Sequence, residues 1–197
     1  MIISKNDENS VQITANILKN NGIAILPTDT VYGFSASVNL STDKKIRKIK
    51  GREENKPFIQ LIAEPEDIYR YTDEVLPDQL LALWPGALTV IVPLKKILIT
   101  GESEVTTVAF RCPGDGWLRQ IIKAVGKPIY STSVNRSGQP VLSSVLEIDK
   151  EFGGEVKLIV DGGSTENALP STLVKFEKGK CIILRQGDVC IPSSLLL

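Results

Sequence analysis

The chain has 197 residues, 42% of them hydrophobic, and its 23 Lys plus Arg are balanced by 23 Asp plus Glu. That length suits one domain able to bury its own core. The zero net charge excludes bulk attraction to nucleic acid or to an anionic membrane, so any electrostatic work falls to local clusters.

Histidine is absent. This rules out Ser-His-Asp and Cys-His catalysis and imidazole-based metal centres, and it leaves oxygen-ligated cations such as Mg²⁺ as the candidate metal. Cys112, Cys181 and Cys190 are odd in number and lack C-x-x-C spacing, so reduced thiols are expected rather than a disulfide framework or a zinc site. The opening MIISKNDENS has no basic segment followed by an apolar run, and no apolar stretch reaches the about 18 residues of a membrane span. The sequence predicts a cytosolic protein with no membrane partner.

In chain order, Val11, Ala15 and Leu18 share a helical face between cap candidates at Asp7 to Ser10 and a stop at Gly22, which predicts a helix over 11–20. A strand follows at Ile23 to Leu26. Ile46 and Ile49, a basic last turn and Gly51 predict a second helix over 42–50. Phe58 to Ala63 reads as a buried strand, and PEDIYRY and LPDQLLALW as short helices opened by proline. LTVIVPL and TTVAFR are β-rich, with Pro93 expected to end or edge the first. Leu118, Ile121, Ile122 and Val125, between Asp115 and GKP, give the clearest helix, which leads into the strand PIYSTSV. A capped helix over 144–152, a strand KLIVDGG, and a hairpin of STLVKF and CIILRQG across EKGK complete the chain. The expected fold is one α/β domain over 1–197 with a mixed sheet and flanking helices.

Strand-like runs end in Thr28-Asp29-Thr30, Arg111, Ser131-Thr132-Ser133 with Asn135, and Arg185, while LPST precedes the strand near Leu173. In α/β sheets ligands sit where strand ends gather. One such ending reads as a cap or turn, but five, two of them with arginine, read as the lining of one pocket. The segment KIRKIKGREENK adds cations. Lys44, Lys45 and Lys48 fit a solvated face, whereas Lys50 and Arg52 flank Gly51 where the chain leaves the helix. With Arg111 and Arg185 they suit a polyanion. Neither a P-loop nor a G-x-G-x-x-G motif is present, so a nucleotide site here is of another type.

Taken in order, GIAILPTDTVYG, KIKGREENKPF, LWPGALTVIVPL, TVAFRCP, STSVNRSGQP, LPSTLVKF and ILRQGDV resemble the threonylcarbamoyl-AMP synthase family, the YrdC-like proteins, over about residues 11–189. The resemblance implies an open, twisted α/β sheet with a concave basic cleft, and no C-terminal domain of the kind longer relatives carry. It also implies a nucleotidyltransferase that forms threonylcarbamoyl-AMP and pyrophosphate from L-threonine, bicarbonate and ATP. This is the first step of threonylcarbamoyladenosine synthesis on tRNA. Mg²⁺ would accompany ATP without direct protein ligands, and tRNA and the downstream transferase complex are candidate partners.

Carried over by position, the family's K-x-R falls on Lys50 and Arg52 and its S-x-N on Ser133 and Asn135, the catalytic set. Arg52, Lys56, Thr107, Ser133, Val141 and Arg185 match nucleotide positions. Thr30, Arg111, Ser131 and Ser171 match the threonine pocket, with Arg111 expected to pair bidentately with the carboxylate. Val134 stands where alanine is usual, and Leu61 where some relatives have histidine. Trp84-Pro85-Gly86 reads as structural, and Asp29 as bonded to adjacent backbone or positioning the cation through water. Two other classes remain: an RNA-binding module without catalysis, and a carbamoyl-adenylate domain like those in hydrogenase-maturation proteins.

Overall fold

The computed structural model describes residues 1–52, 57–100 and 103–197. Its strands are β1 (Ile2–Ser4), β2 (Ala24–Leu26), β3 (Gly33–Ser37), β4 (Ile59–Leu61), β5 (Leu88–Thr100), β6 (Ser103–Arg111), β7 (Ile129–Ser133), β8 (Leu158–Asp161), β9 (Thr172–Glu177) and β10 (Lys180–Arg185). The helices are α1 (Ser10–Lys19), α2 (Leu40–Lys50), α3 (Asp78–Leu81), α4 (Gly116–Val125) and α5 (Val145–Phe152), with 3₁₀ turns at Pro65–Arg70 and Ser193–Leu195.

The strands form one mixed sheet in the order β1-β8-β2-β3-β7-β4-β6-β5-β9-β10. The elements read from the sequence are present with small shifts of their ends. Asn39 caps α2 by accepting from Thr42 N, Asp115 caps α4 through Leu118 N, and Ser144 and Glu147 form a capping box on α5. Lys178 and Gly179, at φ 52° and 78°, make the tight β9–β10 turn.

Two strands escaped the sequence reading, β1 and β3. In β3, GFSAS alternates only Phe34 and Ala36 with small residues, and Ser35 and Ser37 are themselves fully buried, so the alternation is too short and too weak to announce a strand. Pro93 does not end β5. It pairs with Thr107, and the β5–β6 register shifts just beyond it, so the missing N–H is accommodated at an irregularity in the ladder.

Residues opposite one another in a ladder share a face. Ser35 faces Ser131, Ser131 faces Ile59, and Leu61 faces both Ile129 and Arg111. The same face continues through Thr107, Thr89, Leu173 and Arg185. Helices α1 and α4 cover only part of it, closing a cluster of Leu18, Leu26, Leu61, Leu118, Ile121 and Ile129. Beyond that cluster the face continues as the polar residues Ser131, Thr107, Thr89 and Arg185.

The opposite face is covered along its length. Phe34, Ile46, Ile49, Val134 and Phe152 pack together under α2 and α5, with Phe34 and Phe152 edge to face at 4.9 Å. Further along, Val90, Val108, Phe110, Val174 and Phe176 meet Ile68, Leu80, Trp84 and the tail residues Ile191 and Leu195. The apolar tail therefore docks on the core. Trp84 donates from Nε1 to Leu88 O at 2.7 Å, the structural role its position suggested. Cys112 and Cys181 are buried and Cys190 is exposed, all as free thiols.

Candidate active site

Three polar clusters occupy the open face and the strand ends beside it. The first forms where α2 stops. Ile46 and Lys50 lie one turn apart, so the apolar stripe that buries Ile46 also draws Lys50 inward until the residue is 3% exposed. Its ammonium lies 5.4 Å from the Phe34 ring centroid. It donates to Ser133 O at 2.5 Å, Asn135 O at 3.0 Å and Asn135 Oδ1 at 2.8 Å. Ser133 Oγ donates to Asn135 Oδ1 at 2.9 Å, and Asn135 Nδ2 donates to Gln139 O at 2.7 Å. Burial, with Arg52 nearby, pushes the Lys50 pKa down to about 8.

Gly51 takes the left-handed conformation at φ 62° that stops the helix, and Arg52 N then bonds back to Arg47 O at 3.1 Å. The Arg52 guanidinium lies 5.0 Å from the Phe58 centroid, with long contacts to Thr132 Oγ1 at 3.3 Å and Pro57 O at 3.4 Å. It is a loosely held cation. Lys44, Lys45 and Lys48 are exposed. Lys56 lies outside the described residues.

The second cluster surrounds Arg111. Thr28 Oγ1 accepts from Thr30 N at 3.0 Å and donates to Val31 O at 2.8 Å, a turn that aims the Thr30 hydroxyl at Arg111. Arg111 donates from Nη1 to Thr30 Oγ1 at 2.8 Å and from Nε to Gly86 O at 3.1 Å. Its Nη2 sits 2.7 Å from Asp29 Oδ1, with side chains 6% and 20% exposed. That contact is a close ion pair, and among the described residues the buried Nη2 has no hydrogen-bond partner beyond it. A carboxylate reaching this guanidinium meets one side already employed and one N–H group in reserve, which narrows the expected bidentate fork. Asp29 Oδ2 accepts from Gly114 N at 2.8 Å. Its backbone partner is thus a distant loop rather than the adjacent chain.

The third cluster joins Ser171 to Thr89, with their hydroxyls 2.8 Å apart, and to Arg185, which donates to Ser171 O from Nη2 at 2.8 Å and from Nε at 3.2 Å. Arg111 lowers the Arg185 pKa, after burial, so the second and third clusters feel each other's charge. A Cβ at Gly33 would stand 2.7 Å from Ser131 Oγ, so β3 needs glycine there for the hydroxyl to fit. Thr107 lies on the same face two strand steps of two residues from Arg111, and Val141 is 43% exposed on the loop after β7.

Tyr32, fully buried, fastens three loops. Its hydroxyl donates to Gly163 O at 2.7 Å and accepts from Gly162 N at 2.9 Å, while its carbonyl accepts from Val134 N at 3.1 Å. Val134 is fully buried beside it, and Leu61 is 2% exposed in the α1–α4 cluster.

The sequence reading missed Thr89, the Gly86 carbonyl and the pairing of Asp29 with Arg111. Thr89 had a signal: a polar residue between Leu88 and Val90 in a buried β run. The other two depend on contacts between distant segments. Among the described residues, no group of three or more Asp, Glu or Cys side chains is placed to hold a metal ion.

A family model for Sua5/YciO/YrdC proteins, described as "Telomere recombination", matches residues 16–187. The chain belongs to the Sua5/YciO/YrdC family. It is 31% identical over 190 residues to the threonylcarbamoyl-AMP synthase of Pyrococcus abyssi, covering 93% of this chain and 55% of that protein. It is 33% identical over 193 residues to the enzyme of the same name from Bacillus subtilis, covering 95% and 56% respectively. The chain thus spans about half the length of these Sua5/YciO/YrdC relatives. The crystal structure of P. abyssi Sua5 complexed with L-threonine superposes with a TM-score of 0.84 at 29% identity, over 95% of this chain and 57% of that one.

Proposed function

We propose that this protein is a threonylcarbamoyl-AMP synthase, joining L-threonine, bicarbonate and ATP into threonylcarbamoyl-AMP with release of pyrophosphate. The observation that carries the reading is the Arg111 cluster: a buried guanidinium, backed by Asp29, Thr30 and Gly86, whose Nη2 has no partner among the described residues beyond its ion pair with Asp29. It occurs in a chain similar to a Sua5 protein crystallised with L-threonine. A threonine carboxylate fits that N–H, and Thr30, Ser131 and Ser171 supply hydroxyls around the rest of the amino acid.

The chemistry matches the residue types. Threonine amine and bicarbonate condense to a carbamate and water, and a carbamate oxygen then attacks the α-phosphorus, with pyrophosphate leaving. Every reactant except the amine is an anion, so cations and positioned donors matter more than a strong base. Arg52, the loosely held cation, and Arg185, held on Ser171 O, are assigned to the nucleotide phosphates, with Thr107 and Val141 along the nucleoside. Mg²⁺ enters as part of the MgATP substrate and is held by the phosphates, because both oxygens of Asp29, a carboxylate of the Arg111 cluster, are engaged. The product would serve the first step of tRNA threonylcarbamoyladenosine formation in the cytosol, with tRNA and a downstream transferase as later partners.

The test is pyrophosphate release from ATP with each substrate omitted in turn. The reading requires release only when threonine and bicarbonate are both present. Equal turnover without threonine overturns it, and salt-sensitive RNA affinity with no turnover would support an RNA-binding module instead.

A further inference from the structure

We infer that Lys50 acts through Asn135 and not on the nucleotide: it orients the Asn135 amide so that Ser133 presents an acceptor, not a donor, to the hollow. The inference rests on the synthase reading for the identity of the substrate, and on hydrogen-bond geometry for everything else.

An ammonium has three N–H donors and no acceptor. Lys50 has three protein oxygens within reach, Ser133 O, Asn135 O and Asn135 Oδ1, at 2.5, 3.0 and 2.8 Å. No N–H is left for a phosphate oxygen. A donor-only group also decides which end of the Asn135 amide faces it, since the NH₂ end would set donor against donor. The oxygen therefore points at Lys50, and the NH₂ group is free to donate to Gln139 O at 2.7 Å.

The polarity then passes to Ser133. Its Oγ is 2.9 Å from Asn135 Oδ1, and an amide oxygen only accepts, so the single hydroxyl proton of Ser133 is committed inward. What remains on Ser133 Oγ is lone pairs. Phosphate, carboxylate and bicarbonate oxygens are poor partners for lone pairs. An N–H is a good one, and the amino-acid substrate carries the N–H of its amine and then of its carbamate. Ser133 lies on the same sheet face as Ser131 and Arg111, the face proposed to hold the amino acid. Ser133 is therefore the acceptor that orients the attacking carbamate, and Lys50 is a positioning residue two hydrogen bonds removed from it.

Steady-state kinetics with Lys50→Met, Asn135→Leu, Asn135→Asp and the Lys50→Met/Asn135→Leu double variant, read for L-threonine and ATP separately, test this. Lys50→Met and Asn135→Leu should each lose about tenfold or more in kcat/KM for threonine, as expected for removal of one partner of a charged hydrogen bond, with KM for ATP within about threefold. The double variant should be no worse than either single one, because groups in one network are non-additive. Asn135→Asp keeps the oxygen that accepts from Lys50 and Ser133 but loses the donor to Gln139 O, so its kcat/KM for threonine should fall between those of wild type and Asn135→Leu. A raised KM for ATP with intact threonine kinetics, or losses that multiply in the double variant, would overturn the inference. Amide hydrogen exchange over 133–139 in the free protein judges the clamp independently of activity: Lys50→Met should accelerate it, and unchanged exchange would reject the clamp. If the wild type fails to need threonine, the synthase reading falls, and the exchange result alone then decides the role of Lys50.

Discussion

Arg111 and Arg52 are both arginines placed for anions, yet their surroundings have little in common. Arg111 is 5% exposed, paired to Asp29 at 2.7 Å and held by Gly86 O and Thr30 Oγ1. Arg52 is half-buried, rests on Phe58, and has no contact to oxygen shorter than 3.3 Å among those described. The first is a rigid, charge-balanced fixture suited to a small amino acid of fixed shape. The second retains its charge and its freedom, which suits a triphosphate whose charge shifts as pyrophosphate leaves. One region is built before the ligand arrives, and the other is completed by it.

Removing the counter-ion from the rigid region should have the largest effect. Asp29→Ala leaves a buried guanidinium without its partner, and should cost about 3 kcal/mol of stability in a urea melt along with nearly all threonine-dependent turnover. A variant as stable as wild type would show that the Arg111 region is not preformed. Arg52→Ala sharpens the contrast: its melt should match wild type, while pyrophosphate release falls well over tenfold, in line with the loss of about 2–4 kcal/mol of electrostatic stabilisation. A large loss of stability would place Arg52 in the rigid class.

The pH response should be smaller. Lys50 titrates near about 8 instead of the ordinary 10.5, so turnover should decline several-fold as pH rises past about 8, when the ammonium loses the proton that holds Asn135. The stability term runs the other way. Between about 8 and 10.5 the unfolded chain binds more protons at this site than the folded one, so Lys50 alone makes stability rise with pH across that window. A pH profile flat to 10 would remove Lys50 from the working site. Smallest of all, Lys45→Ala should change turnover by less than about twofold, because an exposed lysine whose one described bond is a 3.3 Å contact to Asn21 O contributes little. A loss equal to that of Arg52→Ala would mean that the basic segment works as a diffuse patch.

Much of this was legible in the sequence because it depends on local rules. The caps at Asp115 and Ser144, the stop at Gly51, and the i, i+3, i+4, i+7 stripe of α4 are each decided within a few residues. Strand β3 was not, because Ser35 and Ser37 are buried polar residues whose place is set by neighbouring strands and by Leu18 O, which accepts from Ser37 Oγ at 2.7 Å. In the candidate site, the residue types were readable but their states were not. That Arg111 is already paired, that Lys50 points inward, and that Arg185 leans on Ser171 all follow from contacts across many residues of chain. Lys50 had left one clue, a position in register with Ile46 on the apolar stripe.

Tyr32 binds the turn bearing Thr30, the loop leading to Val141 and the loop leading to Ser171 together, the second through its carbonyl and the third through its hydroxyl. If a molecule settling against Arg111 displaces that phenol, the loops on the nucleotide side move as well, and thermodynamic linkage makes the dependence mutual. Whatever factor threonine applies to the affinity for ATP, ATP must return to threonine.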